Sequence, residues 1–205
     1  MRVAAIYDLH GNLPALEAVL KDIRCEKVDL LVVGGDIVPG PMPREILECL
    51  LNLDIPTKFI QGNGEIDALS VMSGKCNDRV PEAYRDIVIW SANQISDYKP
   101  VLESWGKTFR LEIDGLGKVL FCHATPRDDN EIFTSLTSVE RLLPIFEGLD
   151  ADVVVCGHTH IQFDRMIGKV RVVNAGSLGM PFGKTGADWL LLGTEIELRH
   201  TDYHL

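Results

Sequence analysis

Seven side chains that can bind a metal ion stand directly after short apolar runs of the sequence. They are two carboxylates, one amide and four imidazoles: Asp8, His10, Asp36, Asn63, His123, His158 and His160. Imidazole and carboxylate are ligands of divalent metals, whereas Ser177 and the cysteines have no obvious histidine partner nearby in the sequence for nucleophilic catalysis. Seven ligands exceed the need of one ion. The set therefore predicts two ions, bridged by Asp36, the carboxylate that has no adjacent histidine.

The apolar runs of the first half are typical of buried strands that alternate with helices. Strands are predicted over 3–7, 29–33 and 55–60, and helices over 13–27 and 44–53. This βαβαβ order favours parallel strands joined by helical crossovers. The carboxyl ends of such strands share one edge of the sheet, where ligands bind. We therefore expect the metal-binding side chains to converge at that edge.

The second half of the sequence changes to the period of strands. The strand-like segments are TFRLEI, KVLFCH, DVVVCGH, FDRMIGKVRVVN and WLLLGTEIELRH. The fourth segment predicts a hairpin around Gly168 and Lys169. One helix, predicted over 139–148, interrupts them. We expect an α/β fold in which a parallel half and a more antiparallel half pack as two sheets.

The middle of the chain is less regular. Residues 66–79 are polar and contain glycine, which predicts a loop with one helical turn at most, whereas 84–98 has helical periodicity. We interpret residues 1–205 as a single domain in which 66–106 form a partly helical cap or insertion.

Composition limits the classes of partner. A net charge of −10 and a pI near 5.0 disfavour nucleic acid as a partner, but a small anionic substrate remains compatible because bound cations reverse the local field. The first residues, MRVAAIYD, do not have the pattern of a signal peptide, and no apolar stretch predicts a membrane span. Five cysteines without regular spacing fit free thiols in a reducing compartment, so we expect a cytoplasmic protein.

The series DLHGN, GGD, GNGE, FCHATP, CGHTH and NAGS resembles the calcineurin-like metallophosphoesterase superfamily in order and rough spacing. The short chain and the DLHGN form resemble its small bacterial and archaeal phosphodiesterase branch, near the diadenosine-polyphosphate hydrolases. The resemblance implies a four-layer αββα sandwich of two mixed β-sheets flanked by helices. It also implies a substrate that is small, anionic and contains phosphate, with nucleotides among the candidates.

The resemblance also implies how two divalent ions are held. Asp8, His10, Asp36 and His160 would bind one ion, and Asp36, Asn63, His123 and His158 the other. Asp36, Asn63 and His123 are the residues assigned to catalysis. A metal-bound hydroxide would attack phosphorus in a phosphodiester or phosphoanhydride. Manganese is the expected metal, and iron, nickel and zinc also suit these ligands.

Position 64 departs from the family pattern, in which a histidine follows the asparagine of the GN motif. That histidine protonates the leaving oxygen or steadies the phosphate, whereas this chain has Gly64. Three interpretations stay open. Another group takes the role or the leaving group has a low pKa, Gly64 makes room for a bulkier substrate, or the protein binds ligands with little turnover. A monoester or phosphoprotein phosphatase and a metal-binding scaffold or regulatory module are therefore the alternatives to a diesterase.

Several further residues have a functional and a structural interpretation. Arg127 either grips phosphate or pairs with Asp128 or Asp129 at the surface. Asn12 either contacts phosphate or caps the first helix, and the cap is favoured. The cysteines before the metal histidines, Cys122 and Cys156, are expected to be buried apolar groups. The two remaining histidines, His200 and His204, are expected to face solvent.

Overall fold

The computed structural model describes residues 1–75 and 79–203 and contains two five-stranded mixed sheets. The first sheet has the order β10-β9-β1-β2-β3 and the second has the order β4-β5-β6-β8-β7. The strands of the first sheet are β1 (Val3–Ile6), β2 (Leu30–Val33), β3 (Thr57–Phe59), β9 (Ala187–Leu192) and β10 (Ile196–Thr201). Those of the second are β4 (Thr108–Ile113), β5 (Gly117–Cys122), β6 (Val153–Cys156), β7 (Phe163–Ile167) and β8 (Val170–Asn174).

Six α-helices flank the sheets in the described part of the chain. They are α1 (Leu13–Glu26), α2 (Pro43–Leu51), α3 (Asn63–Met72), α4 (Glu82–Gln94), α5 (Lys99–Glu103) and α6 (Val139–Phe146), and a short 3-10 helix spans Ser96–Tyr98. The apolar positions of α1 recur every three or four residues, so Leu16, Val19 and Ile23 share the face that packs against the first sheet. Pro14 lies in the first turn of α1, where its missing N–H costs no hydrogen bond.

Three apolar layers separate the helices and sheets. The side chains of β1 contribute to two of these layers in alternation. Ala4 and Ile6 face the helices, whereas Val3 and Ala5 face the second sheet. The third layer lies between the outer face of the second sheet and α6, where Leu142 packs. The predicted four-layer αββα sandwich of two mixed sheets is therefore confirmed.

Each sheet contains three neighbouring parallel strands. β1 pairs in parallel with β2, and β2 with β3. In the second sheet β6 is parallel to both β5 and β8, while β4 and β7 form antiparallel edges. The predicted hairpin at Gly168 and Lys169 is confirmed by the β7–β8 pairing. The second half of the chain is more antiparallel than the first, as predicted, because β4–β5, β7–β8 and β9–β10 are antiparallel pairs, although β5, β6 and β8 run in parallel.

The segment predicted as a loop, 66–79, is helical over most of its described length. Helix α3 extends to Met72, and residues 76–78 lie outside the described part of the chain. Ala68 of α3, Ala92 of α4 and Leu102 of α5 join the apolar core of the first sheet. The status of 66–106 as a separate cap or insertion stays a prediction. None of the helices in the described residues has the length and apolarity needed to cross a bilayer.

Candidate metal centre

The predicted ligands converge at the carboxyl ends of the parallel strands in two clusters. Asp8, His10 and His160 form the first cluster, and Asp36, His123 and His158 form the second. Within each cluster the potential ligand atoms all lie within 4.8 Å of one another. The loops after β1, β2, β5 and β6 carry these residues, and Asn63 is the first residue of α3, directly after β3. The prediction that strand ends bring these side chains together is confirmed.

The clusters adjoin one another through the two carboxylates. In the first cluster, His160 Nε2 lies 3.4 Å from Asp8 Oδ1 and 3.2 Å from His10 Nε2. In the second, His123 Nε2 lies 3.4 Å from Asp36 Oδ1 and 3.1 Å from Asn63 Oδ1. Asp36 Oδ2 also lies 3.9 Å from His10 Nε2. Asp36 therefore faces ligands of both clusters.

Backbone carbonyl groups orient three of the four imidazoles. The Nδ1 atoms of His10, His123 and His160 lie 3.2, 2.9 and 2.9 Å from the carbonyl oxygens of Pro39, Gly34 and Met180, respectively. A carbonyl only accepts hydrogen bonds, so each Nδ1 carries the proton. The lone pair of each ring is then on Nε2, which points into the cluster. Such an arrangement is usual for histidines that bind metals.

The backbone at the site adopts conformations that non-glycine residues rarely occupy. Among the described residues, six non-glycine positions have positive φ, and five of them are Asp8, His10, Asp36, His158 and His160, with φ between 46° and 68°. Asp and His tolerate this region better than bulky residues, but each such residue still costs about 1–3 kcal/mol. Strained backbone collects at functional sites, so the presence of five of the six positions here supports the assignment.

Burial and mutual charge perturb the pKa of every ionisable ligand. Burial raises the pKa of Asp36, and the neighbouring Asp8 and Glu65 add to this, so the value reaches about 7. Burial would also raise the pKa of Asp8, but the imidazoles of His160 and His123 lower it to about 2.

Burial lowers the pKa of His10 and of His158 to about 4. Burial acts in the same direction on the pKa of His123 and His160, but the carboxylates outweigh it. The pKa of His123 is raised chiefly by Asp36 and then by Asp8, and that of His160 by Asp8. Carboxylates and imidazoles thus shift each other's protonation across the whole site.

The residues at this site fit divalent cations. Asp8 Oδ1 is fully buried and has no hydrogen-bond partner in the described part of the chain, although three imidazole Nε2 atoms lie within 4.0 Å of it. His10 and His160 direct their Nε2 lone pairs at each other over 3.2 Å. Acceptor atoms at such distances repel one another unless a proton or a metal ion lies between them. The donor set of carboxylate, amide oxygen and imidazole suits several divalent transition metals.

Comparison with known proteins agrees with this geometry. The profile of the calcineurin-like phosphoesterase superfamily domain matches residues 1–196. The chain belongs to this superfamily. The predicted family is therefore confirmed, and the chain carries two candidate metal sites.

Two curated proteins and one crystal structure are similar to this chain. An uncharacterised protein of Methanocaldococcus jannaschii is 31% identical over 164 residues, which are 78% of this chain and 63% of that protein. A symmetrical bis(5'-nucleosyl)-tetraphosphatase of Baumannia cicadellinicola is 27% identical over 145 residues, 67% of this chain and 46% of that protein. The chain thus spans less than two thirds of the length of these two relatives. A crystal structure of a metallophosphoesterase from Sphaerobacter thermophilus is 26% identical, covers 100% of this chain and 90% of its own, and has a TM-score of 0.77.

Glu65, the acidic residue of the GNGE motif, lies buried beside the second cluster. Its buried carboxylate accepts hydrogen bonds from the backbone N–H groups of Asp36, Ile37 and Gly62 at 2.8 Å, and of Val38 at 3.3 Å. Burial raises the pKa of Glu65, and these donors oppose that rise. One carboxylate therefore connects the loop that carries Asp36 to the start of α3, which carries Asn63.

The space beside Gly64 is closed by the same loop. A Cβ atom at position 64 would lie 1.9 Å from the carbonyl oxygen of Val38 and 3.0 Å from Asp36 Oδ1. The Gly64 N–H donates to Asp36 Oδ1 at 2.7 Å. The interpretation that Gly64 makes room for a bulkier substrate is therefore wrong, because the backbone at Val38 occupies that space. Asn63 also begins a helix, rather than lying in an isolated glycine turn.

Asn12 caps α1, as predicted. Its Oδ1 accepts a hydrogen bond from the Ala15 N–H at 3.2 Å, and its Nδ2 donates to the Gly179 carbonyl and the Tyr203 hydroxyl at 2.9 and 2.8 Å. A contact between Asn12 and phosphate, which stays a prediction, would have to replace one of these bonds. Asn174 shapes the loop after β6, because its Nδ2 donates to the Gly157 carbonyl at 2.6 Å.

Arg127 lies at the exposed rim of the site and forms a bidentate pair with Glu131. The predicted surface pairing with Asp128 or Asp129 is therefore wrong in its partner, while a role in gripping phosphate stays a prediction. Arg127 and His123 line the same small cavity of about 40 Å³. A pair with Glu131 can open to admit a phosphate oxygen, because exposed ion pairs are weak.

The remaining sequence predictions concern residues away from the ligands. Cys122 and Cys156 are buried, as predicted, and burial raises the pKa of both thiols. The expectation that His200 faces solvent is wrong. It lies in β10, part-buried, with Nδ1 2.7 Å from Asp188 Oδ1, whereas His204 is outside the described residues.

Proposed function

We propose that the phosphoesterase uses two divalent ions to hydrolyse a phosphodiester or a phosphoanhydride. In this proposal Asp8, His10, Asp36 and His160 hold one ion, and Asp36, Asn63, His123 and His158 hold the other. A pair of divalent ions lowers the pKa of a water molecule and neutralises charge on phosphoryl oxygens. The convergence of unpaired acceptor atoms, above all the buried Asp8 Oδ1, is the observation that supports two ions.

The chain's own residues would supply position and proton control. The carbonyl groups of Gly34, Pro39 and Met180 keep the proton of each ring on Nδ1, so Nε2 stays available as a ligand. His123 and Asn63 lie 3.1 Å apart on the side of the site that also carries Arg127. Arg127 is the candidate to bind a phosphoryl oxygen from the rim.

The lack of space for a side chain at Gly64 is the observation that favours a phosphodiester or phosphoanhydride over a monoester as the bond that is hydrolysed. No imidazole fits at this position while Val38 keeps its place, so the usual donor of a proton to the leaving oxygen is missing. General acid catalysis typically contributes about 10²–10⁴-fold. Leaving groups of low pKa, such as those of anhydrides and activated diesters, need that help least. Alkyl monoesters need it most, which disfavours a monoesterase.

A nucleotide substrate, manganese and a cytoplasmic location are the finer parts of this proposal. The relative that is a symmetrical bis(5'-nucleosyl)-tetraphosphatase supports a nucleoside anhydride as a substrate class. Manganese suits a mixed set of imidazole, carboxylate and amide ligands. The cysteines Cys25, Cys49, Cys122 and Cys156 are free thiols, which favours a reducing compartment.

Hydrolysis of three phosphate compounds by the Mn²⁺-loaded protein tests the proposal. We expect turnover of bis-p-nitrophenyl phosphate and diadenosine tetraphosphate to exceed that of p-nitrophenyl phosphate. Asp36→Asn should lower kcat/KM for the diester by at least about 100-fold, because it weakens the link between the two ions. Asp150→Asn is the matched control, since Asp150 is an exposed carboxylate that pairs with Lys118 away from the ligands.

The alternatives give different results in the same assay. A preference for p-nitrophenyl phosphate would favour a monoester phosphatase and contradict the proposed bond type. Binding of two ions without hydrolysis of any of the three compounds would favour a metal-binding scaffold.

A further inference from the structure

Two apolar side chains lie exposed at the rim next to the first metal cluster. Phe182 is 63% exposed and Met180 is 52% exposed, both in the loop between β8 and β9. The ring of Phe182 tilts by 34° against the imidazole of His160, with centroids 5.2 Å apart. Single exposed apolar residues are common on proteins. This aromatic ring, however, contacts a candidate metal ligand.

The loop that carries these side chains is hydrogen-bonded to the ligand loops. Phe182 N–H donates to the carbonyl of His160 at 3.0 Å, and Gly179 N–H donates to the carbonyl of Asp8, also at 3.0 Å. The imidazole of His160 donates in turn to the carbonyl of Met180. The position of Phe182 is therefore fixed by the same backbone that orients the ligands. Such preorganisation lowers the entropy that a binding surface loses when it takes up a ligand.

The rim differs in chemistry on its two sides. Next to His123 it is charged, because Lys107, Arg127, Asp128 and Asp129 line the small cavity there. Next to His160 it presents the ring of Phe182, and the exposed Met180 lies two residues earlier in the same loop. An aromatic ring gains from stacking on phenylalanine and from contact with a methionine sulfur. The cavity on the charged side has no phenylalanine or methionine in its lining.

We propose that Phe182 and Met180 form a subsite for an aromatic ring, either aryl or nucleobase, carried by the phosphate ester. This inference rests on the proposed function and gives the substrate an orientation. The ring lies beside His160, so the opposite substituent on phosphorus points to the charged rim near Arg127. Phe182 is thus a specificity-determining residue, and none of its atoms takes part in the reaction.

Two diesters with one common leaving group test the subsite. Phenyl p-nitrophenyl phosphate and methyl p-nitrophenyl phosphate release the same p-nitrophenolate and differ only in the retained substituent. Wild-type protein should have the lower KM for the phenyl ester. Phe182→Ala should raise that KM by about three- to tenfold, the range expected for a stacking contact. The kcat/KM for the methyl ester should change by less than about twofold.

A binding measurement separates the subsite from catalysis. Calorimetry with phenylphosphonate and methylphosphonate, neither of which is hydrolysed, should show tighter binding of the phenyl compound to the metal-loaded wild type. Phe182→Ala should remove that preference, and Phe182→Leu should keep part of it. Met166→Ala is the matched control. Met166 is also exposed, at 54%, but it lies near the end of β7 that is farther along the chain from His160.

Each outcome decides between the two proposals. If Phe182→Ala weakens the phenyl and methyl compounds equally, the ring merely supports His160 and the subsite is refuted. The subsite is also refuted if the wild type shows no preference between the phosphonates. If no ester is hydrolysed but the phosphonate preference is present and depends on Phe182, the subsite stands and the proposed hydrolase function fails.

Discussion

The ligand residues occupy strained backbone because the site requires several side chains to point at one place. Asp8 and His10 both have positive φ, although only one residue separates them. The neighbouring loop holds both, since Asp8 N–H donates to the Gly35 carbonyl and His10 N–H to the Asp36 carbonyl. The sequence identified these residues by their types and their places after apolar runs. It could not predict their φ angles, because these depend on contacts between loops that are distant in the sequence.

Glu65 is the residue on which the order of the second cluster depends most. We expect Glu65→Gln to lower the free energy of unfolding of the metal-free protein by about 2–4 kcal/mol, since the amide group would confront two N–H donors and lose the charge. The affinity for Mn²⁺ should fall as well, because Asp36 and Asn63 lose their common support. Urea unfolding and calorimetric titration measure these two effects.

Glu103→Gln is the control for that substitution. Glu103 is an exposed residue that pairs with Lys99 on α5, so its loss should cost less than about 1 kcal/mol. Equal effects of the two substitutions would contradict a special role for Glu65. The sequence contained one sign of that role, since a Glu three residues after Gly62 can form one half of a helix capping box, the bond from the Gly62 N–H to the Glu65 carboxylate. Its other partners lie 27 to 29 residues earlier in the chain, and no local pattern reveals them.

Helix α3 shows how tertiary contacts override a weak local signal. The sequence predicted a loop over 66–79 because that segment is polar and contains glycine, but α3 covers 66–72. The helix forms because its first turn is fixed to the 36–38 loop by Glu65 and Gly64. Helices α1 and α2 have strong apolar stripes, and their predicted ranges agree with the structure within two residues at each end.

The close contact between α3 and the 36–38 loop makes Gly64 intolerant of any side chain. We expect Gly64→Ala to destabilise the protein by about 1–3 kcal/mol, because a Cβ would overlap the Val38 carbonyl. The shift of the loop should also displace Asp36, so fewer than two Mn²⁺ ions should bind with wild-type affinity. Thermal unfolding and metal stoichiometry measure the effect. Gly193→Ala is the control, since a Cβ there meets no atom within 4 Å.

At the scale of the whole molecule, the site forms where the two sheets bring their carboxyl edges together. The first sheet contributes Asp8 and Asp36, and the second contributes His123 and His158. The rule that ligands bind at the carboxyl ends of parallel strands predicted each sheet's contribution. The rule could not predict that the carboxyl edges of the two sheets meet, or which residues form the rim of the site. Phe182, for example, follows no strand directly and belongs to no motif.

Protonation of the metal-free site couples metal binding to pH. The pKa of Asp36 is raised to about 7 by burial and by nearby carboxylates, and the pKa values of His123 and His160 are also raised. These groups must lose protons to bind a cation, whereas His10 and His158, with pKa values near 4, are already neutral at pH 7. Raising the pH through 7 should therefore strengthen metal binding, by about tenfold per pH unit for each proton released.

Calorimetric titration of Mn²⁺ in buffers of different ionisation enthalpy counts those protons. We expect about one to two protons to be released per protein at pH 6.5 and fewer at pH 8.5, where Asp36 is already ionised before the metal binds. The same protein at the two pH values is its own control. A count that does not change with pH would mean that Asp36 is ionised throughout.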